Sequence, residues 1–99
     1  MEAHELSSAI VAYLGWGTSP RPGAHESAVA ACARSSSPGG LVDRVRAIVA
    51  ESLAVPVDWE SLSLADAGRA VAAGMGARHP ELDQPALDAL AWSFTYAWR

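Results

Sequence analysis

The amino-acid sequence predicts an all-α protein, folded as a compact orthogonal or irregular bundle of four to five short helices. Apolar residues recur at helical spacing in several segments, and stretches rich in proline or glycine separate those segments. The alternation of apolar and polar residues that indicates strands is not sustained anywhere in the sequence. A chain of 99 residues is one domain long, so we expect residues 1–99 to form a single helical domain.

The first two predicted helices flank a loop that contains prolines and glycines. Residues 5–14 predict a helix because apolar side chains recur there at every third or fourth position, which places them on one face. That face consists of Leu6, Ile10, Tyr13 and Leu14. Alanine content predicts a second helix over residues 24–34, and the Ser, Pro and Gly residues at 35–40 predict a flexible hinge after it.

The third predicted helix, over residues 41–54, has the clearest amphipathic pattern. Pro56 ends it, because a proline disfavours helical geometry in the residue before it. The predicted core face consists of Leu41, Val45, Ile48, Val49 and Ser52, extended by Val42 and Leu53.

The fourth predicted helix begins after Ser63 and runs to about Ala77. Ser63 followed by Asp66 three residues later resembles a capping box, in which the two residues satisfy the first backbone N–H groups. Its predicted apolar stripe consists of Leu64, Val71 and Met75, with Ala67, Gly68 and Ala72 beside it. Small residues at these positions allow a neighbouring helix to approach closely.

The fifth predicted helix is capped by Asp83 or Gln84 and runs through Arg99. Pro85 falls in its first turn, where the missing N–H has no helical partner to lose. At 100° per residue, one side forms a predicted core face. That face consists of Leu87, Leu90, Ala91, Phe94, Ala97 and Trp98.

The opposite side of this helix is also aromatic, which is unusual for a helix on a protein surface. Trp92 and Tyr96 lie four residues apart there, next to Arg99. In one interpretation the helix is central, between the first and third helices on one side and the second or fourth on the other. In another, these three residues form a partner-binding surface, because Trp and Tyr dominate interface hot spots. In a third, Arg99 stacks on one of the rings as a structural cation–π contact.

The charge, the N-terminal residues and the single cysteine indicate the kind of partner and the compartment to expect. Eleven carboxylates against seven arginines give a net charge of −4, which argues against nucleic acid as a partner. The acidic N-terminus is unlike a signal peptide, and no apolar run is long enough for a membrane span. One lone cysteine is typical of a reducing compartment, so we expect a cytoplasmic protein. The absence of lysine and asparagine indicates GC-rich codons and hence a high-GC bacterium.

No catalytic or metal-binding residues are predicted, and no cofactor is expected. Residues 79–83 contain His, Glu and Asp, but no second cluster of ligands supports a metal site, so we interpret them as an ordinary loop. Cys32 lies among alanines without a basic neighbour, which indicates a small buried apolar residue. The sequence contains neither a Gly-x-Ser-x-Gly nucleophile elbow nor a glycine-rich phosphate-binding motif. We therefore expect that the protein is not an enzyme.

Two resemblances bear on function. Leu41–Gly68, with the stretches Val45–Glu51 and Ser63–Gly68, resembles the first helix and loop of acyl carrier proteins. In that family an Asp-Ser-Leu motif follows, and its serine carries the phosphopantetheine arm. Here Arg69, Ala70 and Val71 follow, so the resemblance implies no carrier function. The chain is also similar in size, acidity and helicity to small bacterial immunity proteins that block toxin nucleases, with no shared motif.

These observations favour a small non-enzymatic helical protein that acts by protein–protein interaction, as an adaptor, an inhibitor or an immunity-like protein. The first alternative is a small-ligand-binding or enzyme-accessory domain, with a pocket lined by Trp59, Trp16 or Trp98. The second alternative is a homodimeric structural protein that associates through the C-terminal helix.

Overall fold

The computed structural model describes residues 2–33, 37–58 and 60–97, and this part of the chain is an all-α bundle of five helices. The helices are α1 (Glu2–Leu14), α2 (Glu26–Cys32), α3 (Pro38–Leu53), α4 (Leu64–Arg78) and α5 (Gln84–Ala97). The predicted fold class is confirmed. None of the helices in the described ranges has the length and hydropathy that a bilayer crossing requires.

The turn after α1 depends on two glycines that bring the chain back along the helix. Gly15 and Gly17 have φ angles of +83° and +87°, which residues with a Cβ rarely adopt. The loop then hydrogen-bonds to the end of α1: Gly23 N–H donates to Leu14 O, and His25 N–H donates to Tyr13 O. The α2 helix begins at Glu26 rather than at residue 24, because His25 before it has non-helical backbone angles, with φ −92° and ψ 74°.

The residues predicted to form a hinge belong in part to α3. The Ser37 side chain accepts a hydrogen bond from Gly40 N–H at 3.2 Å, and Pro38 occupies the first turn. Serine is a preferred N-cap residue, and a proline in the first turn loses no helical hydrogen bond. The helix therefore begins at Pro38 instead of Leu41, and the prediction of a hinge is wrong for residues 37–40. Residues 35 and 36 of the predicted hinge lie outside the described residues.

Side-chain caps also define the starts of α4 and α5. Ser63 Oγ accepts from Asp66 N–H, and Asp83 Oδ1 accepts from Ala86 N–H, each at 3.1 Å. The predicted cap of α4 is confirmed, and Asp83 rather than Gln84 caps α5. Asp83 N–H in turn donates to the buried Ser7 Oγ at 3.1 Å, so the start of α5 is tied to α1.

All five helices contribute side chains to one buried core. Within the described part of the chain α1 packs on α2, α3 and α5, whereas α4 packs chiefly on α5. The largest fully buried side chains are Phe94, Leu6, Ile10, Leu14, Leu41, Met75, Leu90, Val29, Val45 and Val71. Burying each stabilises the fold by about 1.5–3 kcal/mol relative to exposure. The predicted core faces of α1 and α3 are confirmed, with Val42, Val49 and Leu53 at the half-buried edge of the latter.

The predicted core face of α5 is confirmed at Leu90 and Phe94, but the buried side of the helix is otherwise shifted around its axis. The buried side chains of α5 are Ala86, Ala89, Leu90, Ser93 and Phe94. Ala97 is exposed, Leu87 and Ala91 are half-buried, and Trp98 lies outside the described residues. The small side chains at 86, 89 and 93 allow α1 and α3 to approach α5 closely, so that Leu87 and Ala91 turn toward α4. The helix is thus packed on two sides, as in the interpretation that placed it between other helices.

Candidate partner-binding groove

An open groove of about 810 Å³ runs along the surface between α4 and α5, and we call it the α4–α5 groove. Its lining on α4 is Ala65, Gly68, Arg69, Ala72 and Ala73. On α5 it is Gln84, Leu87, Asp88, Ala91, Trp92 and Thr95, and Trp16 joins them from the loop after α1. Each set recurs at spacings of three and four residues, so each helix contributes one continuous face.

Glycines on α4 allow the two helices to approach closely, Gly68 within the groove lining and Gly76 outside it. A Cβ at Gly68 would lie 2.7 Å from Thr95 Cγ2, and a Cβ at Gly76 would lie 3.2 Å from Leu87 Cδ1. Both distances are shorter than ordinary van der Waals contacts between carbon atoms. Alanines on the α4 wall add little bulk, so the space above the floor stays open.

An aromatic pair lines the groove toward one end. The ring centroids of Trp16 and Trp92 are 5.1 Å apart, and the ring planes are inclined at 55°. This separation lies within the roughly 4.5–7 Å at which aromatic rings interact favourably. Trp16 owes its place to the turn at Gly15 and Gly17, which folds the loop back over α5. The groove therefore combines small aliphatic walls with a large aromatic surface.

The two edges of the groove differ in charge. On the α4 edge, Arg69 forms an ion pair with Asp66, and this pairing holds the pKa of the Asp66 carboxyl below its ordinary value. On the α5 edge, Asp88 accepts a hydrogen bond from the neutral Gln84 Nε2 at 2.8 Å. Among the described residues no cationic group pairs with Asp88. The α4 edge is thus neutralised, whereas the α5 edge keeps a negative charge.

The structure places the predicted partner-binding residues in different surroundings. Trp92 is half-buried, packs on the core and lines the groove. Tyr96 is 37% exposed, more than the other large hydrophobic residues of the described chain, and lies one turn beyond Trp92 outside the groove lining. Arg99 lies outside the described residues. Of the three predicted residues, Trp92 therefore lines the groove, and the partner-binding role of all three stays a prediction.

The α4 wall and Trp16 were missing from the predicted partner-binding surface. Trp16 was predicted only for a ligand pocket, together with Trp59 and Trp98, which lie outside the described residues. The small residues of α4 were a detectable signal, because they repeat at helical spacing over residues 65–73. Sequence periodicity does not say, however, whether such a face receives another helix of the same chain or remains open.

A second polar cluster joins α3 to the end of α4. Glu51 Oε2 accepts a hydrogen bond from Arg78 Nη1 at 3.1 Å, and Glu51 Oε1 accepts one from His79 Nε2 at 2.9 Å. The bond from His79 and the added contact with Arg78 lower the pKa of Glu51 from its ordinary value of 4.5, although desolvation opposes this. His79 Nδ1 also lies 3.8 Å from Glu81 Oε2. These contacts fix the α4–α5 connection against α3.

The loop at residues 79–83 and Cys32, which the sequence analysis considered as candidate sites, make contacts that support the fold. Asp83 caps α5 and His79 binds Glu51, so the loop at residues 79–83 is a structural connection. The described residues include no group of three or more His, Cys, Asp or Glu side chains arranged to hold a metal ion. Cys32 is half-buried at the end of α2 and packs against the core. Every buried side-chain polar atom in the described ranges has a hydrogen-bond partner.

Comparison with known proteins finds no match: no family model, no curated protein and no solved structure is significantly similar to this chain.

Proposed function

We propose that this protein is a binding module that holds an amphipathic helix of another protein in the α4–α5 groove. The observation that carries the proposal is the open, mostly apolar channel between two helix faces, with the Trp16–Trp92 pair at one end. Apolar channels between helices are a recurring mode of recognising amphipathic helices. Large aromatic side chains in such a channel are the residue types that contribute most to binding.

The dimensions of the groove suit a short helix. The lining on α4 extends over eight residue steps and that on α5 over eleven, which correspond to about 12 and 16 Å of helix. A partner helix of about three turns covers this length. Because the walls are mainly alanine and glycine, they leave room for large side chains of the partner at positions i, i+3, i+4 and i+7.

A second copy of the chain is a poorer occupant of the same groove. A two-fold contact through this face would set one concave surface against another and leave unfilled space between them. A head-to-tail contact, in which a helix of one copy enters the groove of the next, does not close on itself unless the rotation forms a ring. Light scattering checks this directly, because the proposal expects the isolated protein to remain monomeric.

A small metabolite also fits less well than a helix. Sites for small ligands usually bring several polar groups together to orient the molecule. In the groove, Thr95 Oγ1 donates to Trp92 O of its own helix, and the charged groups lie along the edges. The groove thus offers an extended apolar surface without converging polar groups. Such a surface suits the apolar face of a helix better than a compact polar ligand.

The wider assignment is an adaptor or inhibitor of a cytoplasmic protein, without catalytic activity and without nucleic acid as a partner. It is supported by the net charge of −4, which repels phosphate backbones, and by the use of polar clusters in this chain as helix connections.

The proposal is tested with a displayed library of helical peptides and a matched pair of variants. Ala73 lines the groove and Ala70 lies on the outer face of the same helix, and both are exposed. Ala73→Glu introduces a charge into the groove and is expected to abolish binding of the selected peptides. Ala70→Glu adds the same charge outside the groove and is expected to leave binding within about twofold. Failure to select any helical peptide, or equal binding to both variants, contradicts the proposal.

A further inference from the structure

We propose that the partner helix carries an arginine or lysine on the flank that faces α5, where it pairs with Asp88. This inference rests on the proposed function, because it names the chemistry of the helix that the α4–α5 groove binds. It concerns one edge of the groove and one side chain on it.

The starting observation is the unequal charge of the two edges. Arg69 on the α4 edge already has Asp66 as its partner, three residues earlier on the same helix. Asp88 on the α5 edge is half-buried, and within the described ranges its side chain receives a hydrogen bond only from the uncharged Gln84 amide. A neutral amide satisfies one lone pair of the carboxylate but leaves its charge uncompensated.

Binding of a helix makes this charge more important. A helix that covers the groove removes water from Asp88, and an unpaired carboxylate loses hydration without compensation. A guanidinium or ammonium group on the partner compensates the loss through a charge-assisted hydrogen bond. A glutamate at the same position would face a like charge with less water between the two groups.

The net negative charge of the chain also favours a basic partner helix. A net charge of −4 attracts a basic peptide and raises its association rate at low ionic strength. Only the contact with Asp88 distinguishes one flank of the peptide from the other, because the Arg69–Asp66 pair leaves the α4 edge neutral. We therefore expect a basic residue on one flank, repeated at a fixed position relative to the apolar face.

The experiment uses a displayed library of helical peptides with randomised apolar and flanking positions, selected on the full-length protein. Peptides that lose binding to Ala73→Glu define the groove binders. Among them, arginine and lysine are expected to be enriched on one flank. Asp88→Asn, which keeps the hydrogen bond from Gln84, is expected to weaken these peptides by about three- to tenfold.

Asp43→Asn is the matched control, because Asp43 is exposed on α3 outside the groove and its replacement changes the net charge equally. This variant is expected to leave affinity within about twofold at moderate ionic strength. Groove binders without a basic flank, or equal losses in the two Asn variants, overturn the inference and leave the proposed function standing. Absence of any groove binder overturns both.

Discussion

Trp16 and Trp92 join the loop after α1 to the face of α5 that lines the groove, with ring centroids 5.1 Å apart. The pair connects an early turn of the chain with its last helix, and it contributes to both the fold and the surface. Replacing either tryptophan is therefore expected to change both the stability of the protein and the surface of the groove, whereas a substitution at the groove wall changes chiefly the surface.

Replacement of Trp92 is expected to destabilise the protein, and replacement of Tyr96 much less. Trp92→Ala removes the contact with Trp16 and part of a half-buried ring, which costs about 1–3 kcal/mol. Tyr96→Ala removes an exposed side chain and is expected to cost less than about 1 kcal/mol. Urea unfolding followed by circular dichroism measures both values. Equal losses would contradict the difference in burial.

The glycines of α4 are expected to respond to alanine with opposite signs. Gly68→Ala places a Cβ 2.7 Å from Thr95 Cγ2 and is expected to destabilise the protein by about 1–3 kcal/mol. Gly74→Ala meets no atom within 4 Å and is expected to stabilise the helix by about 0.5–1 kcal/mol. Thermal unfolding measures the two effects. Adding Thr95→Ser, which removes Cγ2, is expected to recover most of the loss at Gly68.

The hydrogen bond from Asp83 N–H to Ser7 Oγ is expected to stabilise the start of α5 against α1. Ser7→Ala removes the buried hydroxyl that accepts from Asp83 N–H, and the loss of this part-buried hydrogen bond is expected to cost about 0.5–1.5 kcal/mol. Ser8→Ala is the control, because the half-buried Ser8 lies next to it on α1. Hydrogen exchange at the first turn of α5 is expected to accelerate only in Ser7→Ala. The same exchange in both variants would count against this account.

The Glu51 cluster predicts a pH dependence on the acidic side. Because the folded protein lowers the pKa of Glu51 below 4.5, the contribution of this group to stability is complete above that pH. It is lost as the pH falls through the lowered pKa, when the carboxylate is protonated and its bonds to Arg78 and His79 weaken. Glu51→Gln is expected to be less stable at neutral pH and to lose less stability on acidification. Glu60→Gln, at an exposed turn, is expected to follow the unmodified protein in a pH series of urea unfolding.

Helix positions and several caps are predictable from the sequence because they depend on local chemistry. Ser63 and Pro85 act within one turn of their own position, and the apolar face of α3 follows from its spacing alone. The start of α3 was missed because the Ser, Pro and Gly residues at 37–40 are typical both of a loop and of a capped first turn.

The groove was less predictable because it depends on which helices meet. The core side of α5 is lined by small residues, so hydrophobicity favoured the direction of Leu87, which the structure turns toward α4. The contact between Trp16 and Trp92 depends on a loop that closes through hydrogen bonds to α1. Neither relationship is encoded in a periodic pattern.

The glycine at position 76 has a consequence for selectivity. It meets Leu87 near the connection between α4 and α5 but does not belong to the lining of the groove. A methyl group added there would lie 3.2 Å from Leu87 Cδ1, so the Leu87 side chain, which lines the groove, has to shift by a few tenths of an ångström. If the groove binds a helix as proposed, partner helices with bulky and with slender side chains are expected to differ in their affinity for this variant, although neither contacts position 76.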